Sequence, residues 1–141
     1  KKYFNLDFTP NFYGPYSGKV RFVLNVLNGS YLMGYSDMNK KPFEPLVLVS
    51  NGYDTVKNYI ESNSELYSIA QKTIDFLTGF YSDFALELLS SIDYISTNKN
   101  TFETKEISEQ LEKWSDRKRS LFSEPKYIEI SVKHLRYTEF G

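Results

Sequence analysis

The sequence of 141 residues contains no cysteine and a single histidine, His134. The absence of cysteine excludes disulfide bonds, thiolate nucleophiles and thiolate metal ligands. A single imidazole also excludes any metal site that needs two histidine ligands. Nucleotide-binding and zinc-protease motifs are absent from the sequence. We therefore expect no catalytic residue, no cofactor and no metal ion, and the lack of cysteine is compatible with a cytoplasmic location.

The sequence also lacks long apolar runs and a surplus of either charge. The apolar run at residues 46–49 is far too short to span a bilayer, so no membrane partner is expected. There are 17 basic and 18 acidic side chains, for a formal net charge of −1. DNA-binding domains usually carry a clear basic excess. DNA therefore stays open as a partner but is not favoured.

Two groups of charged residues raise the question of chemistry or binding. The densest basic cluster is Arg117, Lys118 and Arg119. Such a cluster can contact phosphates, but acidic residues nearby favour a solvated helix end instead. Asp83, Glu87 and Asp93 could form an acid/base set, in which Asp83 and Glu87 are four positions apart on a predicted helix. Because that spacing is common, a solvated helix face is the favoured interpretation.

Aromatic residues are abundant, with 12 tyrosines and 11 phenylalanines against one tryptophan. Tyrosine is enriched at protein interfaces because it supplies contact area at little entropic cost. Partly buried positions at the edge of a core use tyrosine as well, so both interpretations stay open. Trp114 shares a helical face with Ile107 and Leu111, and we expect it to anchor the core.

The first part of the chain predicts a strand, a helix and a β-hairpin. The predicted elements are a strand at residues 2–9, a helix over residues 17–28 and hairpin strands at residues 30–35 and 46–50. Gly14 and Pro15 indicate a turn before the helix, Ser17 can cap its start, and Gly29 suits the position after its end. A winged helix has this order of elements, which many small α+β folds share.

The rest of the chain predicts helices, because apolar residues recur near every 3.6 positions. The start signals are Asp54 for a short helix, Asn63 or Ser64 for the next, Ser82 for a central buried helix, Thr104 for a helix that runs into residues 117–119, and Pro125 for the last. Residues 128–132 also alternate, so a strand stays open there. We expect one mostly helical α+β domain over residues 1–141, cut from a longer protein. Its winged-helix-like part, about residues 1–60, is expected to pack on a helical part, about residues 61–141.

Two ordered sets of short motifs resemble one protein family. The first set, within residues 13–35, combines YGPYS with VRFVLN and a later GY. The second set, within residues 79–122, combines GF, LELLSSI, WSDRKR and LF. Their order and spacing are similar to those of the region that follows the macrodomain in DarG-type antitoxins. Small winged-helix-like proteins of the YwgA type share the YGPYS turn and the helix after it.

The resemblance implies a function. In DarG-type proteins the macrodomain removes ADP-ribose from DNA, and the region after it is implicated in restraining DarT, a DNA ADP-ribosyltransferase toxin. Since only that region is covered, the resemblance implies a non-catalytic module that binds a DarT-like toxin rather than a glycohydrolase. A winged-helix-type DNA-binding regulator is the alternative, and an unrecognised enzyme has little support.

The residues expected to serve this function fall into two groups. Candidate partner contacts are Tyr16, Tyr31, Tyr35, Arg117 and Lys118, with Tyr53 and Tyr67 as further candidate anchors. Residues expected to be structural are Gly14, Pro15, Ser17 and Trp114, because a Gly-Pro turn and a serine cap shape the backbone without touching a ligand.

Overall fold

Helices dominate the computed structural model, which describes residues 4–34 and 45–138. Two antiparallel sheets of two strands each complete this part of the chain, which confirms the prediction of a mostly helical α+β protein. The strands are β1 (Thr9–Asn11), β2 (Gly14–Tyr16), β3 (Leu32–Met33) and β4 (Val47–Leu48). The helices are α1 (Gly18–Leu27), α2 (Ser50–Glu61), α3 (Ser64–Leu77), α4 (Asp83–Lys99), α5 (Thr104–Trp114), α6 (Asp116–Leu121) and α7 (Pro125–Tyr137). Within the described ranges, no helix is long and apolar enough to cross a membrane.

Residue contacts divide the chain into two compact units. Unit 1 comprises the described residues of Lys1–Asp7 and Ser17–Thr78, and thus contains α1 to α3 with β3 and β4. Unit 2 comprises the described residues of Phe8–Tyr16 and Gly79–Gly141, and contains β1, β2 and α4 to α7. The single domain with a winged-helix-like part up to about residue 60 stays a prediction.

The first strand lies later than the sequence predicts. Residues 4–8 form no strand, and β1 pairs instead with β2, with Thr9 opposite Tyr16 and Asn11 opposite Gly14. The predicted Gly-Pro turn is therefore wrong, because Pro15 lies inside β2. Proline fits there since each strand of a two-stranded ribbon is an edge strand, which leaves backbone groups unpaired.

Helix α1 and the hairpin after it lie close to their predicted positions. Ser17 occupies the N-cap position of α1 and Gly29, with φ of +91°, follows its C-cap. The Ser17 side chain makes no capping hydrogen bond, however, and its buried Oγ has no partner among the described residues. Strands β3 and β4 pair through Leu32 with Leu48 and Met33 with Val47. The hairpin is thus confirmed in part, while its turn and Tyr35 lie outside the described residues.

Capping signals located some of the later helices accurately and misplaced others. The side chains of Asn63 and Ser82 accept the predicted hydrogen bonds at the starts of α3 and α4. Helix α2 begins at Ser50, so the predicted start at Asp54 is wrong. Helix α7 begins at Pro125 and excludes the strand that alternation left open.

The apolar core lies in unit 2, between α4, α5 and α7. Its buried side chains are Leu88, Leu89, Ile92 and Ile95 from α4, Ile107 and Leu111 from α5, Phe122, and Ile128, Val132 and Leu135 from α7. In the described part of unit 1, only Ser17, Leu32 and Gly52 are buried. Unit 2 therefore carries the burial that stabilises the fold, whereas the helices of unit 1 keep most of their apolar side chains exposed.

Candidate functional site

A buried ionic cluster joins α4 and α6 within unit 2. The Glu87 carboxylate accepts hydrogen bonds from Arg117 Nη2 at 2.8 Å, Arg117 Nε at 3.3 Å and Lys118 Nζ at 3.1 Å. The side chain of Glu87 is 4% exposed, that of Lys118 is 0% exposed and that of Arg117 is 30% exposed. Both carboxylate oxygens are thus engaged by cations in a largely water-free environment.

A break between α5 and α6 brings the two cations to this position. Ser115 has an extended backbone, with φ of −166° and ψ of 157°, between the end of α5 and the start of α6. Its side chain then accepts a hydrogen bond from the Lys118 backbone N–H at 3.2 Å and caps α6. The prediction of one helix from Thr104 through residues 117–119 is therefore wrong. Serine favours such a break because its hydroxyl satisfies a free N–H at a helix start.

Aromatic rings surround both cations. Lys118 Nζ lies 5.0 Å from the ring centroid of Trp114 and 5.2 Å from that of Phe122. Arg117 Cζ lies 5.1 Å from the ring centroid of Tyr13 and 5.8 Å from that of Phe12. These distances fit cation–π contacts, which strengthen when water is excluded.

The pKa shifts of the two cations run in opposite directions. Burial lowers the pKa of Lys118, and the hydrogen bond from its ammonium to Glu87 only partly offsets this effect. The hydrogen bond to Glu87 raises the pKa of Arg117, against a smaller opposing effect of burial. Arg117 therefore retains its positive charge beside Glu87 more strongly than Lys118 does.

Glu87 is the central residue that sequence analysis missed. The predicted solvated helix face is wrong for Glu87, because its side chain is buried. The predicted solvated helix end is wrong for Lys118 for the same reason. One signal in the sequence pointed to it: Glu87 stands inside the run at residues 84–92, which predicts a helix that is apolar nearly all round. A carboxylate in such a helix is buried and needs a charged partner.

The residues predicted as partner contacts differ in their exposure and surroundings. Arg117 and Lys118 are held in the ionic cluster, and Lys118 has no exposed surface. Tyr16 lies at the end of β2 and is 36% exposed. Tyr31 is half-buried, and its Cα would lie 3.0 Å from a Cβ added at Gly52 of α2.

The structural candidates lie together in unit 2, apart from Ser17. Gly14 adopts φ of +143°, and a Cβ added there would meet Ser90 Oγ at 3.4 Å and Ser91 Oγ at 3.7 Å. Trp114 is half-buried rather than fully buried, and its Nε1 donates to the Asn11 carbonyl at 3.0 Å. The indole therefore links α5 to β1 through both packing and a hydrogen bond.

Unit 1 exposes a wide apolar surface. On α1, Phe22 is 67% exposed and Val26 is 61% exposed, and no residue of this helix is buried. An open groove of about 670 Å³ runs beside α1 and is lined by Phe4, Leu6, Val20, Phe22, Val23 and Leu24. A second groove, of about 230 Å³, lies between α2 and α3 and is bordered by Tyr53 and Tyr67. Contiguous apolar surface of this kind marks sites of protein interaction.

Comparison with known proteins connects the chain to named relatives. No protein-family model matches it. A DNA ADP-ribosyl glycohydrolase of Mycobacterium tuberculosis is 30% identical over 124 residues, which cover 84% of this chain and 35% of that protein. The chain is related to a region of the DNA ADP-ribosyl glycohydrolases. This finding confirms the resemblance to DarG-type proteins.

Two further relatives carry the same name. The protein of Mycobacterium bovis has the same identity and coverage as that of Mycobacterium tuberculosis. The protein of Thermus aquaticus is 24% identical over 113 residues, which cover 80% of this chain and 31% of that protein. The chain thus spans about a third of the length of the curated relatives it matches, so their named activity belongs to proteins that are much longer.

Proposed function

We propose that this chain is a non-catalytic, protein-binding region of a toxin–antitoxin system, and that its partner is a DNA ADP-ribosyltransferase toxin of the DarT type. The observation that carries the proposal is the uncovered apolar surface of unit 1, where α1 has no buried residue. A protein partner would remove this surface from water and gain the free energy of its burial. The resemblance to the region after the macrodomain of DarG-type antitoxins implies the toxin–antitoxin context, and the relatives named DNA ADP-ribosyl glycohydrolase support that resemblance.

The geometry of the ionic cluster fits a structural role better than a catalytic one. A general acid or base must reach the proton that it transfers. The Glu87 carboxylate instead receives three hydrogen bonds, and the Lys118 ammonium has no exposed surface. We therefore assign the cluster to the stability of unit 2.

A binding and rescue experiment tests the proposal. The full chain is expressed together with a DarT-like toxin from the same genome, and co-purification and growth rescue are measured. We expect a complex and restored growth, with no ADP-ribose released when the purified chain is incubated with ADP-ribosylated DNA. Absence of binding and rescue would contradict the antitoxin role, and release of ADP-ribose would show that the region is an enzyme.

Matched substitutions locate the contact surface. Phe22→Glu and Val26→Glu place a carboxylate on the exposed face of α1, and both should abolish co-purification because binding would bury an unpaired charge. Ile130→Glu changes an exposed apolar residue of α7 in unit 2 and should leave binding intact. Circular dichroism checks that each variant folds. Equal binding by all three variants would show that α1 is not part of the interface.

A further inference from the structure

Unit 2 carries a small groove that the ionic cluster does not use. It has a volume of about 240 Å³ and lies between β1, α4 and α5. Its lining includes Pro10, Tyr94, Lys99, Gln110, Lys113 and Trp114. Drug-sized ligands usually occupy pockets of about 300–1,000 Å³, so this groove suits one large side chain rather than a whole small molecule.

The aromatic wall of the groove is held rigidly. Trp114 Nε1 is already bonded to the Asn11 carbonyl, Lys118 Nζ lies 5.0 Å from the indole ring centroid, and the Tyr94 ring packs edge-on at 5.4 Å. Because the indole N–H already donates a hydrogen bond, the ring offers only apolar surface to a bound side chain. A rigid aromatic wall binds a large apolar or aromatic group at little entropic cost.

The rim of the groove is positively charged. Lys99 at the end of α4 and Lys113 at the end of α5 are both exposed, and none of the described residues that line the groove is a carboxylate. Neither lysine forms an ion pair with another described residue. In a chain of net charge −1, this is a local basic excess beside an aromatic wall.

We propose that this groove binds a short acidic segment of a protein partner, in which one aromatic or large apolar side chain is flanked by carboxylates. The apolar side chain packs on Trp114 and Tyr94, and the carboxylates approach Lys99 and Lys113. This inference rests on the proposed protein-binding function and adds a second contact, on unit 2, of defined chemistry.

Single-stranded nucleic acid would also use aromatic stacking and cations, but the surroundings favour a peptide. Helix α5 also carries Glu106, Glu109 and Glu112, none of which lines this groove, and Glu109 and Glu112 line a separate groove beside α7. A polyanion long enough to extend past the groove over α5 would approach these carboxylates, and like charges repel. A peptide needs negative charge only next to its anchoring side chain.

The single tryptophan makes the test specific, because all tryptophan fluorescence of the chain comes from Trp114 in the wall of this groove. The full chain is titrated with a capped peptide of a central phenylalanine between two pairs of glutamates. We expect a saturable fluorescence change that weakens with added salt, since exposed ion pairs are screened. The same peptide with lysines in place of glutamates should cause none.

Charge-reversed variants provide the control. The double variant Lys99→Glu, Lys113→Glu should weaken peptide binding by roughly tenfold or more, because two attractive pairs become repulsive. The double variant Lys105→Glu, Lys126→Glu changes two exposed lysines outside the groove and should bind like the parent chain.

Three results would overturn the groove proposal: no fluorescence change up to millimolar peptide, equal affinity of the two double variants, or tighter binding of an eight-nucleotide oligothymidylate than of the peptide. The outcome is separable from the antitoxin role. A chain that binds the toxin but not the peptide contradicts only the groove, and a chain that binds the peptide but not the toxin contradicts only the proposed partner.

Discussion

Lys118 Nζ lies 3.1 Å from Glu87 Oε1, and neither side chain has appreciable contact with solvent. The two residues are 31 positions apart, so this pair holds α6 against α4. Arg117 adds a second cation to the same carboxylate, and the cluster carries two positive charges and one negative charge. The carboxylate is therefore its indispensable member.

Removal of the carboxylate should destabilise the chain far more than removal of the lysine charge. Glu87→Gln leaves two cations together without a counterion and should lower the free energy of unfolding by about 3–5 kcal/mol. Lys118→Met leaves Glu87 paired with Arg117 and should cost less than about 2 kcal/mol, since an apolar side chain of similar volume fills the site. Urea unfolding followed by Trp114 fluorescence measures both values. Lys126→Met, at an exposed site, is the control, and equal losses for Glu87→Gln and Lys118→Met would refute the asymmetry.

The lowered pKa of Lys118 predicts a pH dependence of stability. Between its folded pKa and the ordinary lysine value of 10.5, the unfolded chain binds more protons at this residue than the folded chain does. Stability contributed by this residue therefore rises as pH increases through that window, and at lower pH the buried charge carries its full cost. The free energy of unfolding of the parent chain minus that of Lys118→Met should increase from pH 7 towards pH 10. If this difference in the free energy of unfolding stayed constant or fell with pH, it would contradict the lowered pKa of Lys118.

Gly14 should tolerate a side chain poorly because of its backbone conformation. Its φ of +143° is unfavourable for other residues, whereas an added Cβ would meet Ser90 and Ser91 of α4 only at ordinary van der Waals distances. Gly14→Ala should therefore lower the free energy of unfolding by about 1–2 kcal/mol. Gly18, at the start of α1, has no atom of a described residue within 4 Å of an added Cβ and serves as the matched control. Gly18→Ala should be neutral or slightly stabilising in the same thermal melt, and an equal loss at both sites would argue against strain at Gly14.

Trp114 should contribute to the stability of the chain through both the buried area of its ring and the hydrogen bond of its N–H group. Because it is only half-buried, Trp114→Ala should cost about 2–4 kcal/mol, towards the lower part of the range for core aromatic residues. Trp114→Phe keeps most of the ring packing but loses the bond to Asn11, and should cost about 1–2 kcal/mol. Thermal unfolding followed by circular dichroism measures both variants. A Trp114→Ala chain that melts like the parent but loses its partner would make Trp114 a binding residue only.

DNA affinity should be weak. Helix α1 would be the recognition helix of a winged helix, and its Lys19 is engaged by the Asn5 carbonyl at 2.7 Å and by Asp7 at 3.9 Å. Fluorescence anisotropy with duplex DNA at physiological salt should give a dissociation constant no tighter than about 10⁻⁶ M, which is the range of non-specific binding. A tighter, sequence-dependent complex would favour the regulator alternative.

Local sequence signals determined most of the helices. The caps at Asn63 and Ser82, the proline at position 125 and the glycine at position 29 act over a few residues, and the structure has helix ends at each of them. The family resemblance was likewise contained in the order of short motifs, and comparison with known proteins confirmed it. These features were predictable because their physical causes lie within one or two helical turns.

Tertiary structure alone decided which charged residues pair with one another and which apolar faces stay exposed. The sequence places Glu87 in a helix that is apolar nearly all round, but only the break at Ser115 places Lys118 next to this carboxylate on α4. The amphipathic pattern of α1 predicts a buried face, yet none of its residues is buried. A side chain is buried only when another element packs against it. Periodicity along one helix defines its apolar face but does not determine which element covers that face. The ionic cluster therefore depends on contacts between residues distant in the chain. The exposed surface of unit 1 likewise depends on which distant residues pack against each helix.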